Sequence, residues 1–429
     1  MLRSGAVYLL ANIASSAVPF FLLPILTRAL TPEAFGAVVG FFLVATLTAP
    51  LAGLNAHGAV GVAWFNRQRA GLPAYVGAAL VVAAVSSVAL AGVIGTAAGV
   101  TPLSQTVSPG WAMAAVVMAG AQIVVQMRLV LWQSQKRPVP VAIMQFGGSM
   151  LQIGLALTAV LWLELGADGR NGAAVVGALA MAAIALVALA LEGEVSGRIH
   201  RGDIVAVVRF GGLLVPHAVG GVLMVTVDRV VVGARLGAAE LGMYGAAAQL
   251  GTVVAVCADA FGKAYSPWLF ERLKADRDED RLVAVGAMYA LIPIALVGGA
   301  CAAVVMVLFS GAFLGPAYAA AAHLMPWFVA GGVATVIYLG VSPLFFFHER
   351  TGRLSATTLP AALAGAACTI ALVLFGGTRG AAAGFALTQV LLTTSVWFVA
   401  VQTFAMPWTQ PRRAFQAFWR ALRPGGKEP

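Results

Sequence analysis

Twelve apolar runs, each near the length a helix needs to cross a bilayer, constrain this chain more than any other feature. They fall at 5–27, 37–56, 74–98, 111–134, 139–163, 172–191, 205–232, 241–262, 283–309, 319–346, 354–376 and 380–403. A helix rises about 1.5 Å per residue, so about 20 apolar residues cross a hydrocarbon layer ~30 Å thick. No water reaches backbone polar groups in that layer, and a helix pairs them all within its own segment. Composition agrees: 61% of the 429 residues are hydrophobic and 10% are charged, where a soluble domain carries about 25% charged. The expected fold is all-α, a polytopic membrane protein of about twelve transmembrane helices in two pseudo-symmetric six-helix bundles. The first run follows Arg3, holds Pro19 and Pro24, and lacks a small-residue cleavage site, so it reads as a retained helix.

The net charge of +10 does not imply a nucleic-acid partner, because the basic residues sit in short segments between the runs. Their distribution sets orientation instead. With the N-terminus inside, 20 of the 26 lysines and arginines fall on the cytoplasmic side, among them Lys136, Arg137, Arg272, Lys274 and Arg281. Five fall outside (Arg28, Arg170, Arg229, Arg235 and Arg379), and Arg128 alone lies within a span. Both termini are therefore expected in the cytoplasm, with the chain in the inner (plasma) membrane.

Leu30-Thr31-Pro32-Glu33-Ala34-Phe35-Gly36 aligns with Leu236-Gly237-Ala238-Ala239-Glu240-Leu241-Gly242 at an offset of 206. Each half holds an even number of runs, so the repeat is parallel, an arrangement transporters use with the substrate site between the halves. The expected organisation is an N-terminal bundle over 1–191, a cytoplasmic linker over 192–203 and a C-terminal bundle over 204–405. A basic amphipathic tail over 406–429 follows, suited to an anionic membrane surface.

Cys257, Cys301 and Cys368 all lie in apolar runs, without disulfide or zinc spacing. The sequence contains no phosphate-binding loop, nucleophile elbow or metal-ligand pair. No catalytic residue, metal or cofactor is expected, the chain is not read as an enzyme, and transport is the class that remains.

Polar residues recur at helical spacing in four runs: Asn12 with Ser15 or Ser16; Gln122, Gln126 and Gln133; Gln145, Ser149 and Gln152; and Gln249, Thr252 and Asp259. Interhelical hydrogen bonding explains any single stripe. A shared water-filled cavity explains the set better, with Asn12, Gln122, Gln126, Gln145, Gln152 and Gln249 lining it.

Charges at depth need a reason, since each costs about 2.5–3.5 kcal/mol on insertion scales. Arg28, Arg128 and Arg229 are candidate anion contacts in that cavity, against interface anchoring or snorkelling. His217 and Asp228, eleven residues apart and so near one helix face, are candidates to carry a coupling proton. A structural role for His217 stays open. Asp259 and Lys263, at i and i+4, are expected to pair.

Tyr8-Leu9-Leu10-Ala11-Asn12-Ile13, and Pro24 through Gly36, resemble the opening of bacterial polysaccharide flippases. These are the O-antigen and exopolysaccharide (Wzx-like) translocases of the multidrug/oligosaccharidyl-lipid/polysaccharide exporter superfamily. Val227-Asp228-Arg229, Glu240-Leu241-Gly242-Met243-Tyr244 and Ser266-Pro267-Trp268-Leu269-Phe270 are similar to the family's second half. The resemblance implies a flippase that moves an undecaprenyl-pyrophosphate-linked oligosaccharide to the outer leaflet by alternating access, coupled to an ion gradient. The partners it implies are that polyprenyl-pyrophosphate-linked glycan, the lipid bilayer and the glycan polymerase machinery, with no nucleic acid. Only Asp228 of the coupling pair falls in a matching motif. A drug or metabolite/cation antiporter of the same superfamily is the nearest alternative, although the N-terminal half has no carboxylate in a span except Glu164 at an edge. A membrane-embedded glycan polymerase or ligase is the alternative of another class, and it calls for a long external loop that this sequence lacks.

Overall fold

The computed structural model describes residues 20–66, 71–97, 104–275 and 277–421, apart from the side chains of His217, Met224 and Thr252. Among the described residues the regular structure is helical, with no β-strand, and ten helices are long and apolar enough to cross a membrane. The chain is an all-α polytopic membrane protein. It divides into two compact units, Met1–Gly245 with Leu314–Tyr318, and Ala246–Phe313 with Ala319–Pro429.

The first unit holds α1 (Phe20–Ala29), α2 (Pro32–Ala52), α3 (Ala56–Asn66), α4 (Leu72–Ala97) and α5 (Pro109–Ser134). It continues with α6 (Pro138–Leu157), a π-helical extension at Thr158–Trp162, α7 (Gly166–Leu191) and α8 (Arg201–Leu236). Local sequence starts these helices. Thr31 accepts a hydrogen bond from the Ala34 N–H at 3.2 Å, with Pro32 and Glu33 in the first turn, and Ser108-Pro109 opens α5 in the same way. The hydroxyl satisfies an orphan N–H, proline has none to lose, and the carboxylate suits the positive helix end.

Helix α5 is the hub, packed against α2, α3, α4 and α7. Small residues let the backbones close in, as expected where lipid supplies no hydrophobic drive between helices. A carbon added at Gly53 would stand 2.6 Å from Ile123, and one at Gly61 would stand 2.6 Å from Val130. The hydroxyls of Ser86 and Ser87 on α4 both donate to the Ala52 carbonyl, the first at 2.9 Å. Helix α8 packs against α2, α3 and α4, which places it in this unit.

The second unit takes most of α9 (Ala238–Ala275), then α10 (Asp278–Leu308), α11 (Ser310–Phe313), α12 (Met325–Val341), α13 (Pro343–Phe347), α14 (Thr351–Thr403) and α15 (Pro411–Ala421). α14 reverses at Gly377, where φ is +55° and ψ −136°, a conformation open to glycine and strained for other residues. Its two arms pack antiparallel along small residues: Gly384 sits against Thr369 and Gly365 against Thr388. The reversal falls between the two runs expected at 354–376 and 380–403.

α9 continues without a break through Pro267 to Ala275, well past the end of the run expected at 241–262. The amphipathic tail forms α15, which lies on α10 with Ala414 and Ala417 buried. Tyr289 donates its hydroxyl hydrogen to the Trp408 carbonyl at 2.7 Å and ties down the approach to it.

Candidate functional site

Successive helical residues turn by about 100°, so Ala115, Ala119, Gln122, Gln126 and Gln133 share one side of α5. Ala115 and Ala119 are sealed, at 0% and 1% exposure. Gln122, Gln126 and Gln133 are exposed. This side of the hub helix is therefore closed in one half and open, with amides, in the half nearer Ser134. An amide left against hydrocarbon loses its hydrogen bonds at a cost of several kcal/mol, on the order of 4–8 in water-to-alkane transfer. Three on one open face call for water or a polar ligand. On α6, Gln145, Ser149 and Gln152 are half-buried, and the Ser149 hydroxyl donates to the Gln145 carbonyl at 2.9 Å.

Arg128, on another side of α5, is fully buried. Its guanidinium donates to Glu192 at 2.5 Å and to Glu194, and lies 4.1 Å over the Trp132 ring. Arg137 also donates to Glu192 at 2.6 Å, Trp132 Nε1 does so at 3.3 Å, and Gln135 donates to Glu194. The cluster fastens the end of α5 to the segment after α7. Burial alone pushes the Glu192 carboxyl up, but the hydrogen bond from Arg137, the charge of Arg128 and the Trp132 N–H outweigh it. Together they hold Glu192 below the usual carboxylate value.

Asp228 is buried between α8 and α9, where its Oδ2 accepts the Tyr244 hydroxyl at 2.6 Å and its Oδ1 accepts the Arg229 N–H at 2.8 Å. Arg229 and Arg28 each donate to a carbonyl one turn back on their own helix, Val225 at 3.0 Å and Pro24 at 2.8 Å. In the second unit Gln249 is half-buried, and Asp259 pairs with Lys263 at 2.5 Å. Asn12 lies outside the described residues, as does the side chain of His217. Among the candidates, the structure aligns the α5 glutamines on one open face. It sets Arg128 and Asp228 in separate buried networks.

Sequence reasoning missed two features. Arg170 and Asn171, near the start of α7, are both buried; the Arg170 guanidinium stacks 4.8 Å over Phe42, and its Nε and Nη1 have no hydrogen-bond partner. Position alone had counted Arg170 as an outer charge, and no spacing signalled its burial. The second is a groove of about 590 Å³ in the second unit, walled by α9, α10 and α12 and reached by Phe418 of α15. Its lining is almost wholly apolar, with Val254, Leu291, Ile294 and Val333 among it. Hydropathy cannot tell a grooved helix surface from a packed one. Among the described residues, no three His, Cys, Asp or Glu side chains are grouped to hold a metal ion.

Comparison with known proteins places this geometry. A family described as "Polysaccharide biosynthesis protein" matches residues 1–273. A membrane protein of Haemophilus influenzae, described as uncharacterized, is 23% identical over 378 residues, covering 83% of this chain and 86% of its own. Among solved structures, the lipid II flippase MurJ in an inward closed conformation superposes with a TM-score of 0.68 at 12% identity, over 97% of this chain and 91% of that one. An inward-facing multidrug resistance MATE family transporter of the MOP superfamily gives 0.67 at 14% identity, over 97% and 96%. At such identities the likeness is one of fold.

Proposed function

The chain belongs to the polysaccharide biosynthesis protein family, and from that premise we propose that it is a flippase for an undecaprenyl-pyrophosphate-linked oligosaccharide. Family and fold together support a transporter of the general class that handles lipid-linked glycans or drugs. In the finer reading, the glycan headgroup passes from the cytoplasmic to the outer leaflet of the inner membrane by alternating access. The two halves, 1–191 and 204–405, are the moving bundles, and both termini stay in the cytoplasm.

The half-open glutamine face of α5 carries this reading. Sugar hydroxyls both donate and accept, as do glutamine amides, whereas a drug cation needs a carboxylate. Neither carboxylate at the outer edge of the N-terminal half offers one at depth: Glu164 is exposed, and Asp168 accepts the Trp111 indole N–H at 2.6 Å. The apolar groove of the second unit gives a polyprenyl tail a surface to follow while the headgroup crosses. Asp228 and His217 are the proposed coupling residues, and Arg28 and Arg229 the proposed anion contacts; Arg128, fully buried and held by Glu192 and Glu194, is left to the structural cluster.

The test is reconstitution in vesicles with a short-chain lipid-linked oligosaccharide bearing a fluorescent sugar, read by protection from an external quencher. Flipping that speeds up under a proton or sodium gradient supports the proposal. A chain that moves cationic dyes but leaves the glycan lipid in its original leaflet is a drug antiporter instead.

A further inference from the structure

Arg170 lies about 6 Å along α7 from its first residue, Gly166, near enough for a long side chain to reach past the helix end. It turns inward instead. The residue is 8% exposed, and its guanidinium stacks 4.8 Å over the Phe42 ring of α2. Glu164 and Asp168, just before it, do face outward. The start of α7 is fixed around the arginine. Asp168 accepts the Trp111 indole N–H of α5 at 2.6 Å, and a carbon added at Gly169 would stand 3.0 Å from the Ala159 carbonyl oxygen.

A guanidinium keeps its charge in a protein, so its burial calls for a counter-charge. Each Asp and Glu of residues 1–245 is a described residue, and Arg170 joins none of the ion pairs among the described residues. Its Nε and Nη1 are sealed from solvent without a hydrogen-bond partner, and the Oδ1 of Asn171, the next residue, is sealed without a donor. An aromatic face offsets only part of the desolvation of a cation. Water satisfies N–H groups and leaves the charge uncompensated.

We propose that Arg170 binds a small inorganic anion, chloride in the cell, at the start of α7. The seal sets the size: with 8% of the residue exposed, the opening suits a single-atom anion and shuts out a phosphate ester. The ion neutralises the guanidinium where α7 meets α2, so its binding favours the packed form of the first unit. The site lies toward Trp111, away from the glutamines nearer Ser134, and does not depend on the flippase reading.

The test uses the full chain in phosphatidylcholine nanodiscs, with thermal unfolding followed as sodium chloride replaces sodium gluconate at constant ionic strength. The wild-type midpoint should rise with chloride, bromide should act like chloride, and inorganic phosphate should not. R170Q should lose the chloride response, while R235Q, which removes an exposed arginine of the same unit, should keep it. If R170Q does not fold, R170K serves. A lysine keeps the charge without the planar fork, so the chloride concentration needed for a given rise should increase about tenfold. A wild-type protein indifferent to chloride overturns the site. So does an undiminished response in R170Q or R170K, or an equal loss in R235Q, which marks a diffuse salt effect. Phosphate that raises the midpoint as strongly as chloride overturns the assignment to a small ion.

Discussion

Gly245 on α9 lies against Val39 on α2, and these are the two residues that the 206-residue offset brings into register (245 − 39 = 206). A carbon added at Gly245 would stand 2.6 Å from Val39 Cγ2. One turn away the contacts are reciprocal: Gly36 abuts the Ala238 backbone, and its counterpart Gly242 abuts the Pro32 backbone, the counterpart of Ala238. Residue i of one repeat meets j of the other while j meets i, and one pair meets itself. That is the signature of a local two-fold axis.

Gly245→Leu is therefore expected to force α2 and α9 apart at that axis. Overpacking typically costs about 1–3 kcal/mol, and here the same strain falls on repeat-equivalent segments at once. The variant should insert normally and lose at least tenfold in transport rate, with Gly245→Ala intermediate. Rates per inserted molecule check this, and wild-type transport by the leucine variant would show that the close approach is dispensable.

Asp228 and Tyr244 give a prediction that separates structure from coupling. Asp228→Ala removes the acceptor of the buried Tyr244 hydroxyl, and losing a buried hydrogen bond of this kind costs about 1–3 kcal/mol. Asp228→Asn keeps an oxygen for that hydroxyl and should unfold close to the wild-type temperature. If Asp228 also carries the coupling ion, the asparagine variant will transport without responding to a proton or sodium gradient. An undiminished gradient response in Asp228→Asn leaves the residue as a helix clamp alone.

These networks mark the limit of what the chain discloses before it folds. Hydropathy placed most of the long helices, because the length of an apolar run is a local constraint, but it left all but the first residue of the short α3 (Ala56–Asn66) outside every run. The open glutamine face was legible for the same reason, since helical spacing alone puts Gln122 and Gln126 together. The partners of Arg128 were not, as Glu192 and Glu194 stand 64 and 66 residues away in what read as a polar linker. Tyr244 gave no sign of facing Asp228, and Arg170 none of its burial on Phe42. Those depend on which helices neighbour one another, information that no window of sequence contains.

The Glu192 cluster makes stability depend on pH with a definite sign. Its folded carboxyl is held below the usual value of 4.5. The stabilisation is thus full above that value and is lost as pH falls through the folded one. Thermal unfolding should drop in that acid window, and Glu192→Gln should flatten the drop. Arg128→Ala leaves two carboxylates without their shared partner and should cost about 3 kcal/mol, toward the low end for a broken buried pair because Glu192 is partly exposed. An Arg128→Ala protein as stable as wild type would mean that water replaces the guanidinium without loss.

Gln122→Leu/Gln126→Leu tests whether the open side of α5 is wet. If that face meets lipid, leucine is the better residue, and the double variant should be at least as stable and transport normally. If it lines an aqueous path for a glycan, the variant should still insert and remain folded, because neither amide is buried. Its transport should fall by tenfold or more, since sugar hydroxyls then cross against a surface that cannot hydrogen-bond. Water access can be read separately by placing a single cysteine at position 126 in a background free of the three native cysteines. Modification by a charged, membrane-impermeant thiol reagent, with protection by the lipid-linked oligosaccharide, places the substrate on this face. A cysteine that stays unreactive from both sides of the membrane puts the glutamines in lipid and removes the main support for a glycan path.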